Sequence, residues 1–297
     1  MPALSTILVP TDFSAPSRHA AERAARIARE QGARLHLIHV VHTGALDRLR
    51  ALLGTDATLE AELILDANRQ LATLAADLRN ERDPEIELSL RHGSVLSEVG
   101  AQGDVIGAEL VVLGARGAGF VRRIALGTTA ERLLRTTQRP LLVVKQKARE
   151  PYTCVLVPVD FSSSSAQALA LARRVAPDAH LVLLHAYEVP FESRMHLAGV
   201  DAQRIEHYRV QARLQANQRL HEMAASADLR PGQWQACLVF NDASLAIIEQ
   251  EQECDCDLIV IGKHGHSVVE DFLLGSVTKH VLAESVGDVL VSTAREA

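Results

Sequence analysis

The chain has 297 residues, which at roughly 100–200 residues per domain predicts two domains, each long enough for its own core. Hydrophobic residues make up 47% and charged residues 23%, the balance of an ordinary globular protein. The net charge of −6 with pI ≈ 6.1 gives no support for a nucleic-acid or membrane-surface protein.

"TILVP" is a short apolar, β-rich run and predicts a buried strand. "SAPSRHAAERAARIAREQG" follows with helical period, with Ser14 as a cap, Pro16 in the first turn and Gly32 as the stop. "RLHLIHVV" is a second strand. Residues 45–80 are Leu- and Ala-rich and predict helix with a break near Gly54 and Thr55. "EIELSLRHG" alternates as a strand. "SVLSEVGAQGDVIGA" predicts a weaker helix interrupted by Gly100 and Gly103. "ELVVLG" is a strand, "TTAERLLRTTQ" a helix and "RPLLVVKQ" the closing strand. The second half repeats this order from "CVLVPVD" to "DVLVSTA". The predicted fold is α/β: two tandem three-layer α/β/α domains, residues 1–147 and 151–297, each with a mainly parallel five-stranded sheet. They are joined by the short charged linker "KQKAREPY", which argues for units packed together.

The halves share landmarks. An offset of 148 relates Asp12 to Asp160, Gly114 to Gly262, Gly117 to Gly265, Gly127 to Gly275 and Thr128 to Ser276. "LHLIHV" matches "LVLLHA" at an offset of 146, so the first helix of the second half is predicted to be about two residues shorter. Slippage between fixed landmarks is the mark of a duplicated domain with tolerant loops.

The glycines form a pattern, G-x2-G-x9-G-[ST], after a strand and before a helix, and it occurs twice. Ligands of open α/β sheets sit beyond the carboxyl ends of the strands. A helix start offers unpaired N–H groups and partial positive charge. Gly127 permits close approach and unusual backbone angles, and Thr128 adds a hydroxyl able to cap the helix or donate to an oxyanion. Gly114 and Gly117 let the loop curl its N–H groups inward. Phosphate suits these parts, although the pattern is neither a P-loop nor G-x-G-x-x-G.

With the repeated "PTDFS"/"PVDFS" starts and the "HV"/"HA" strand ends, this pattern resembles the universal stress protein family in its tandem, ATP-binding form, over nearly the whole chain. The resemblance implies a Rossmann-like (HUP-like) sheet with ATP, with Mg2+, across the strand ends. Pro10, Thr11, Asp12 and the backbone near Val40 would serve the adenosine end. Gly114, Arg116 and Gly117 would line the ribose and phosphate path, and Gly127, Thr128 and Thr129 would hold the phosphates. The second-half counterparts are Pro158, Val159, Asp160, Ala186, Gly262, Gly265, Gly275, Ser276 and Val277. It also implies that "PLLVVK" and "DVLVST" pair internally as a pseudo-dimer, and that two chains can form a further dimer.

The loops differ in charge. Arg122 and Arg123 sit in the first, Glu270 and Asp271 at or beside the matching places in the second. Positive charge favours phosphate, so the first unit is expected to bind ATP more tightly. His264 and His266 read as polar rim residues rather than metal ligands. Cys254 and Cys256 form a C-x-C without a second ligand pair, which reads as small residues between a helix and a strand. The other cysteines, Cys154 and Cys237, also lie in the second half. Asp12 and Asp160 have no paired acid or positioned nucleophile around them, so ligand recognition or helix capping is expected rather than catalysis. The functional expectation is a nucleotide-dependent stress regulator. A slow ATPase or nucleotide-transferring enzyme, and a non-nucleotide scaffold, are the alternatives. The start "MPALSTILVPTDFS" carries no basic leader or long apolar run, and no stretch approaches the ~18 apolar residues of a membrane span, so a cytoplasmic protein is expected.

Overall fold

A computed structural model describes residues 3–44, 57–79, 86–115, 126–264 and 274–293. The chain divides into two compact units, one built on Met1–Pro151 with Val286–Arg295, the other on Tyr152–Ser285.

The first unit runs β1 (Thr6–Pro10), α1 (Ala15–Gln31), β2 (Arg34–His42), α2 (Ala57–Leu78), β3 (Ile86–Gly93), α3 (Val95–Ile106), β4 (Leu110–Gly114), α4 (Thr128–Thr136) and β5 (Leu141–Val144). The strands lie in the order β3-β2-β1-β4-β5, every neighbouring pair parallel. The central strands are apolar on both faces, and Ile7, Leu8, Val9, Leu110 and Val112 are fully buried. Each such side chain contributes about 1.5–3 kcal/mol of burial, which fixes the strands where the helices cover them.

The second unit repeats the order with β6 (Cys154–Pro158), α5 (Ser163–Val175), β7 (His180–Ala186), α6 (Glu192–Leu197), α7 (Ala202–Ser226), β8 (Trp234–Val239), α8 (Ala243–Glu253), β9 (Leu258–Gly262) and α9 (Ser276–Glu284). Its strands follow the order β9-β6-β7-β8, again parallel. The register confirms the slip in the repeat: Thr6 faces Arg34, and Cys154 faces His180.

The last strand, β10 (Asp288–Ser292), ends the second repeat in sequence and groups with the first compact unit. It runs antiparallel to β5, with Leu290 opposite Leu142, which is the pairing anticipated for "PLLVVK" and "DVLVST". Asp288 fixes it: its carboxylate lies 3.3 Å from the Arg23 guanidinium, in a buried ion pair, and accepts from Lys145 N at 2.8 Å. Next, α3 passes through Gly100 and Gly103 without interruption. A Cβ at Gly103 would stand 3.3 Å from the Arg139 guanidinium, which donates to Ala108 O at 2.9 Å and pairs with Asp104. That glycine makes room for a side chain from another segment. Finally, α5 has 13 residues against 17 in α1, a larger cut than the two-residue slip, because the chain spends Ala176–Ala179 in a turn before β7. The predicted Gly54–Thr55 break lies outside the described residues.

Candidate functional site

Both units end their first strand in an Asp-Phe-Ser turn. Asp12 Oδ1 accepts from Ser14 N at 3.1 Å and Ser14 Oγ at 2.5 Å. Asp160 Oδ1 does the same from Ser162, at 3.0 and 2.5 Å. Ser14 and Ser162 then cap the following helices by accepting from Ser17 N and Ser165 N. The aspartates therefore hold the N-cap serines in the turn that starts each helix.

The turn forces an aromatic residue into the left-handed region: Phe13 has φ 61 and Phe161 φ 64. Such conformers cost about 1–3 kcal/mol and persist where the surroundings hold them. Here an imidazole from the second strand does so. Phe13 stacks on His39 and Phe161 packs on His185, each with ring centroids 4.4 Å apart. His39 Nδ1 lies 2.8 Å from Thr11 O, and His185 Nδ1 2.7 Å from Val159 O. A carbonyl can only accept, so Nδ1 carries the proton; in the neutral ring Nε2 is left as an acceptor. Burial pushes the His185 pKa down, as does the charge of Arg219, while the Val159 carbonyl and Asp160 oppose the shift. The Arg219 guanidinium stands 3.9 Å over the Phe161 ring.

The glycines now have separate explanations. A Cβ at Gly114 would lie 2.6 Å from Pro16 O, so the first turn of α1 crosses β4 too closely for any side chain. At Gly262 the nearest atoms, Ser164 Cβ and His264 O, are at 3.0 and 3.1 Å. Gly127 and Gly275 are helix N-caps in extended conformation (φ −64, ψ 146 and φ −56, ψ 150), open to any residue. Their backbone angles do not demand glycine. The absent side chain instead leaves the N-cap without a side-chain bond of its own: among the described residues neither Gly127 nor Gly275 gives α4 or α9 a side-chain cap hydrogen bond. Thr128 and Ser276 are the first helical residues, not caps, and Thr129 and Val277 are the second. Among the described residues a backbone bond closes each loop at its neck, Gly127 N to Ala115 O at 2.8 Å and Gly275 N to Lys263 O at 3.0 Å. Arg116, Gly117, Arg122, Arg123, Gly265, His266, Glu270 and Asp271 lie outside the described residues.

In the second unit a cavity of about 360 Å3 opens at this edge. Pro158, Val159, Asp160, Ala186, Gly262, Gly275, Ser276 and Val277 all line it. These are all the second-half nucleotide positions implied by the resemblance that fall within the described residues. His264 also reaches it. Its size is in the usual range for a small-molecule site. Sequence reasoning missed several wall residues. His185 recurs as His39 at the repeat offset, a usable signal. Thr278 ties α9 to the strand end through Gly262 O at 2.9 Å. Ala243 and Ile247 form an apolar wall from the start of α8, and no local pattern marks them as facing a site. In the first unit, Pro10 ends β1 and Thr11 follows it, Val40 lies half-buried on β2, and Gly114 ends β4.

Among the described residues no helix is long and apolar enough to cross a membrane. The profile of the universal stress protein family matches residues 4–145 and again 151–292. A universal stress protein of Methanocaldococcus jannaschii is 30% identical over 144 residues, 48% of this chain and 84% of the relative. One from Mycolicibacterium smegmatis is 26% identical over 302 residues, 96% of each chain. The crystal structure of a universal stress protein from Archaeoglobus fulgidus superposes with a TM-score of 0.64 at 19% identity, covering 96% of this chain and 97% of that one. Repeat, fold and profile agree: the chain belongs to the universal stress protein family and carries its domain twice.

Proposed function

We propose that this chain is a nucleotide-dependent stress regulator of the cytoplasm, which binds ATP with Mg2+ at its strand-end sites and responds by altering its contacts with partners. The cavity of the second unit carries the reading. Its apolar wall of Ala243, Ile247 and Leu184 suits a flat base. His185 and the backbone near Ala186 offer polar atoms beside it. At the other end the bare first turn of α9 presents N–H groups and a positive dipole end to phosphate. Gly275, Ser276 and Val277 would hold the phosphates there, and Gly127, Thr128 and Thr129 would do so in the first unit. The engagement of Asp12 and Asp160 with serine donors supports binding over turnover. The sequence contrast of Arg122 and Arg123 against Glu270 and Asp271 makes the first unit the tighter site. A homodimer of chains is part of the proposal.

A ligand that binds only the folded chain stabilises it by RT ln(1 + [L]/Kd), about 2.7 kcal/mol at a hundredfold excess over Kd. Mg-ATP added to nucleotide-free protein is therefore expected to raise Tm by several degrees in a saturable way. An unchanged Tm at millimolar Mg-ATP would overturn the reading.

A further inference from the structure

At the opposite ends of two of these strands the second unit gathers sulfur. Cys154 opens β6, and Cys256 precedes β9 by two residues. Their Sγ atoms are 3.2 Å apart across 102 residues of chain. A disulfide needs about 2.05 Å, so closure requires a movement of about 1 Å. The two segments are clamped in register. Asp257 N donates to Cys154 O at 3.0 Å, and the Asp257 carboxylate accepts from Thr153 N at 2.8 Å, Thr153 Oγ1 at 3.0 Å and Cys154 N at 3.3 Å.

The first unit shows that the clamp does not need thiols. There Glu109 accepts from Ser5 N and Ser5 Oγ, both at 2.6 Å, and Glu109 N donates to Thr6 O at 3.0 Å. At the repeat offset the positions of Cys154, Cys256, Cys254 and Cys237 hold Thr6, Ala108, Ile106 and Ser89. The fold is satisfied without sulfur in one copy and carries a contacting thiol pair in the other.

We propose that Cys154 and Cys256 form an oxidisable dithiol, a modification site at the edge of the second unit remote from the nucleotide cavity, that closes to a disulfide in the presence of a peroxide. Cys154 is partly exposed and Cys256 buried, so a small oxidant meets Cys154 first. The Cys256 S–H donated to Cys154 pulls the Cys154 pKa down, against burial and the charges of Asp257 and Asp255; Cys256 is pushed up, first by the same bond and then by burial. Cys154 is thus the attacking sulfur and Cys256 the resolving one. The Cys154 thiolate attacks one peroxide oxygen, the O–O bond breaks, and the departing hydroxide takes a proton to become water. Cys154 is then a sulfenic acid. Cys256 gives up its proton and attacks that sulfur, hydroxide leaves as a second water, and the S–S bond forms. Two thiols lose two electrons and one peroxide gains them. Cys237 stands aside: it donates to Gln250 Oε1 at 3.0 Å, and burial pushes its pKa up to about 11.

The test is thiol titration and non-reducing peptide mapping of the reduced, full chain after hydrogen peroxide. The expected result is loss of half the titratable thiols, a cross-linked peptide joining Cys154 to Cys256, and full recovery with dithiothreitol. Cys154→Ser and Cys256→Ser should each abolish the cross-link, and Cys237→Ser should leave it. Because the wild-type map stands alone, a variant that misfolds does not blunt the test. Four alkylatable thiols after peroxide, a cross-link through Cys237 or Cys254 instead, or sulfinic acid at Cys154 without a cross-link would overturn the proposal.

Discussion

Thr11 in the first unit and Val159 in the second occupy the same position after the first strand, and the difference rewires the turn that follows. Thr11 Oγ1 meets Ser17 Oγ at 3.1 Å, and Ser17 Oγ donates to Ser14 O at 2.9 Å. With valine at 159, Ser165 Oγ donates to Asp160 Oδ1 at 2.5 Å instead and accepts from Asp160 N at 3.0 Å. The same backbone turn is held through a threonine hydroxyl in one copy and through a more heavily bonded aspartate in the other. A similar exchange occurs under α3 and α8. Gln102 bonds His36 at 3.2 Å and Arg91 at 2.9 Å, while its repeat counterpart Gln250 accepts from Cys237. Duplication kept the frame and let the polar wiring diverge, and the wiring is where the two units gain separate properties.

The largest expected effect strikes the first unit. Asp288→Ala removes the carboxylate paired with the buried Arg23, which keeps its bond to Glu150 O at 2.8 Å, and removes the acceptor of Lys145 N, a class of change that costs up to about 3–5 kcal/mol. Chemical denaturation of the full chain should show it as an early transition assignable to the first unit; a shift below about 1 kcal/mol would mean that β10 is held by its apolar ladder alone. The glycines give a milder and more direct comparison. Gly114→Ala places a Cβ 2.6 Å from a backbone oxygen, and Gly262→Ala places one 3.0 Å from a serine Cβ. The first should cost about 1–3 kcal/mol and the second less. Equal losses would show that α1 and α5 yield equally. At the turns, Asp160→Ala should cost more than Asp12→Ala, by about 0.5–1.5 kcal/mol for a lost hydrogen bond, because it also removes the acceptor of Ser165 Oγ. Val159→Thr should narrow that gap by offering Ser165 the hydroxyl that Ser17 has.

The smallest effect is in pH. His36 and His185 both titrate below the ordinary 6.5, burial being the main cause in each. The unfolded chain therefore takes up these protons first. The stability they contribute is full above pH 6.5 and is lost as pH falls through 6.5 toward their folded values. His185→Asn should flatten that acid loss for the second unit and leave the first unchanged, as read by denaturation between pH 7.5 and 5.5. An unchanged slope would mean that His185 keeps its ordinary affinity for protons.

Much of the frame was legible in sequence because its signals are local. Ser14, Pro16 and Gly32 bound α1 as expected, and the two offsets aligned β1 with β6 and β2 with β7. What escaped depends on segments far apart in the chain. Gly100 and Gly103 read as breaks because Arg139, which occupies the space beside Gly103, is 36 residues away. The C-x-C lies between α8 and β9, as read from sequence, but the meeting of Cys256 with Cys154 follows from strand order. The named residues of the second cavity were legible from the family resemblance together with the repeat offset. Its apolar wall was not, because Ala243 and Ile247 reach the site only through the crossover that carries α8 over the sheet.

The central claim is that nucleotide binds at bare helix starts beyond the strand ends, and it is tested most directly by calorimetric titration of nucleotide-free chain with Mg-ATP in wild type, Gly127→Val and Gly275→Val. Both substitutions are compatible with the observed backbone angles, so each should fold. The account predicts saturable binding in wild type, loss of the tighter component in Gly127→Val and loss of the weaker one in Gly275→Val. No binding in wild type, or wild-type binding retained in both variants, would contradict it.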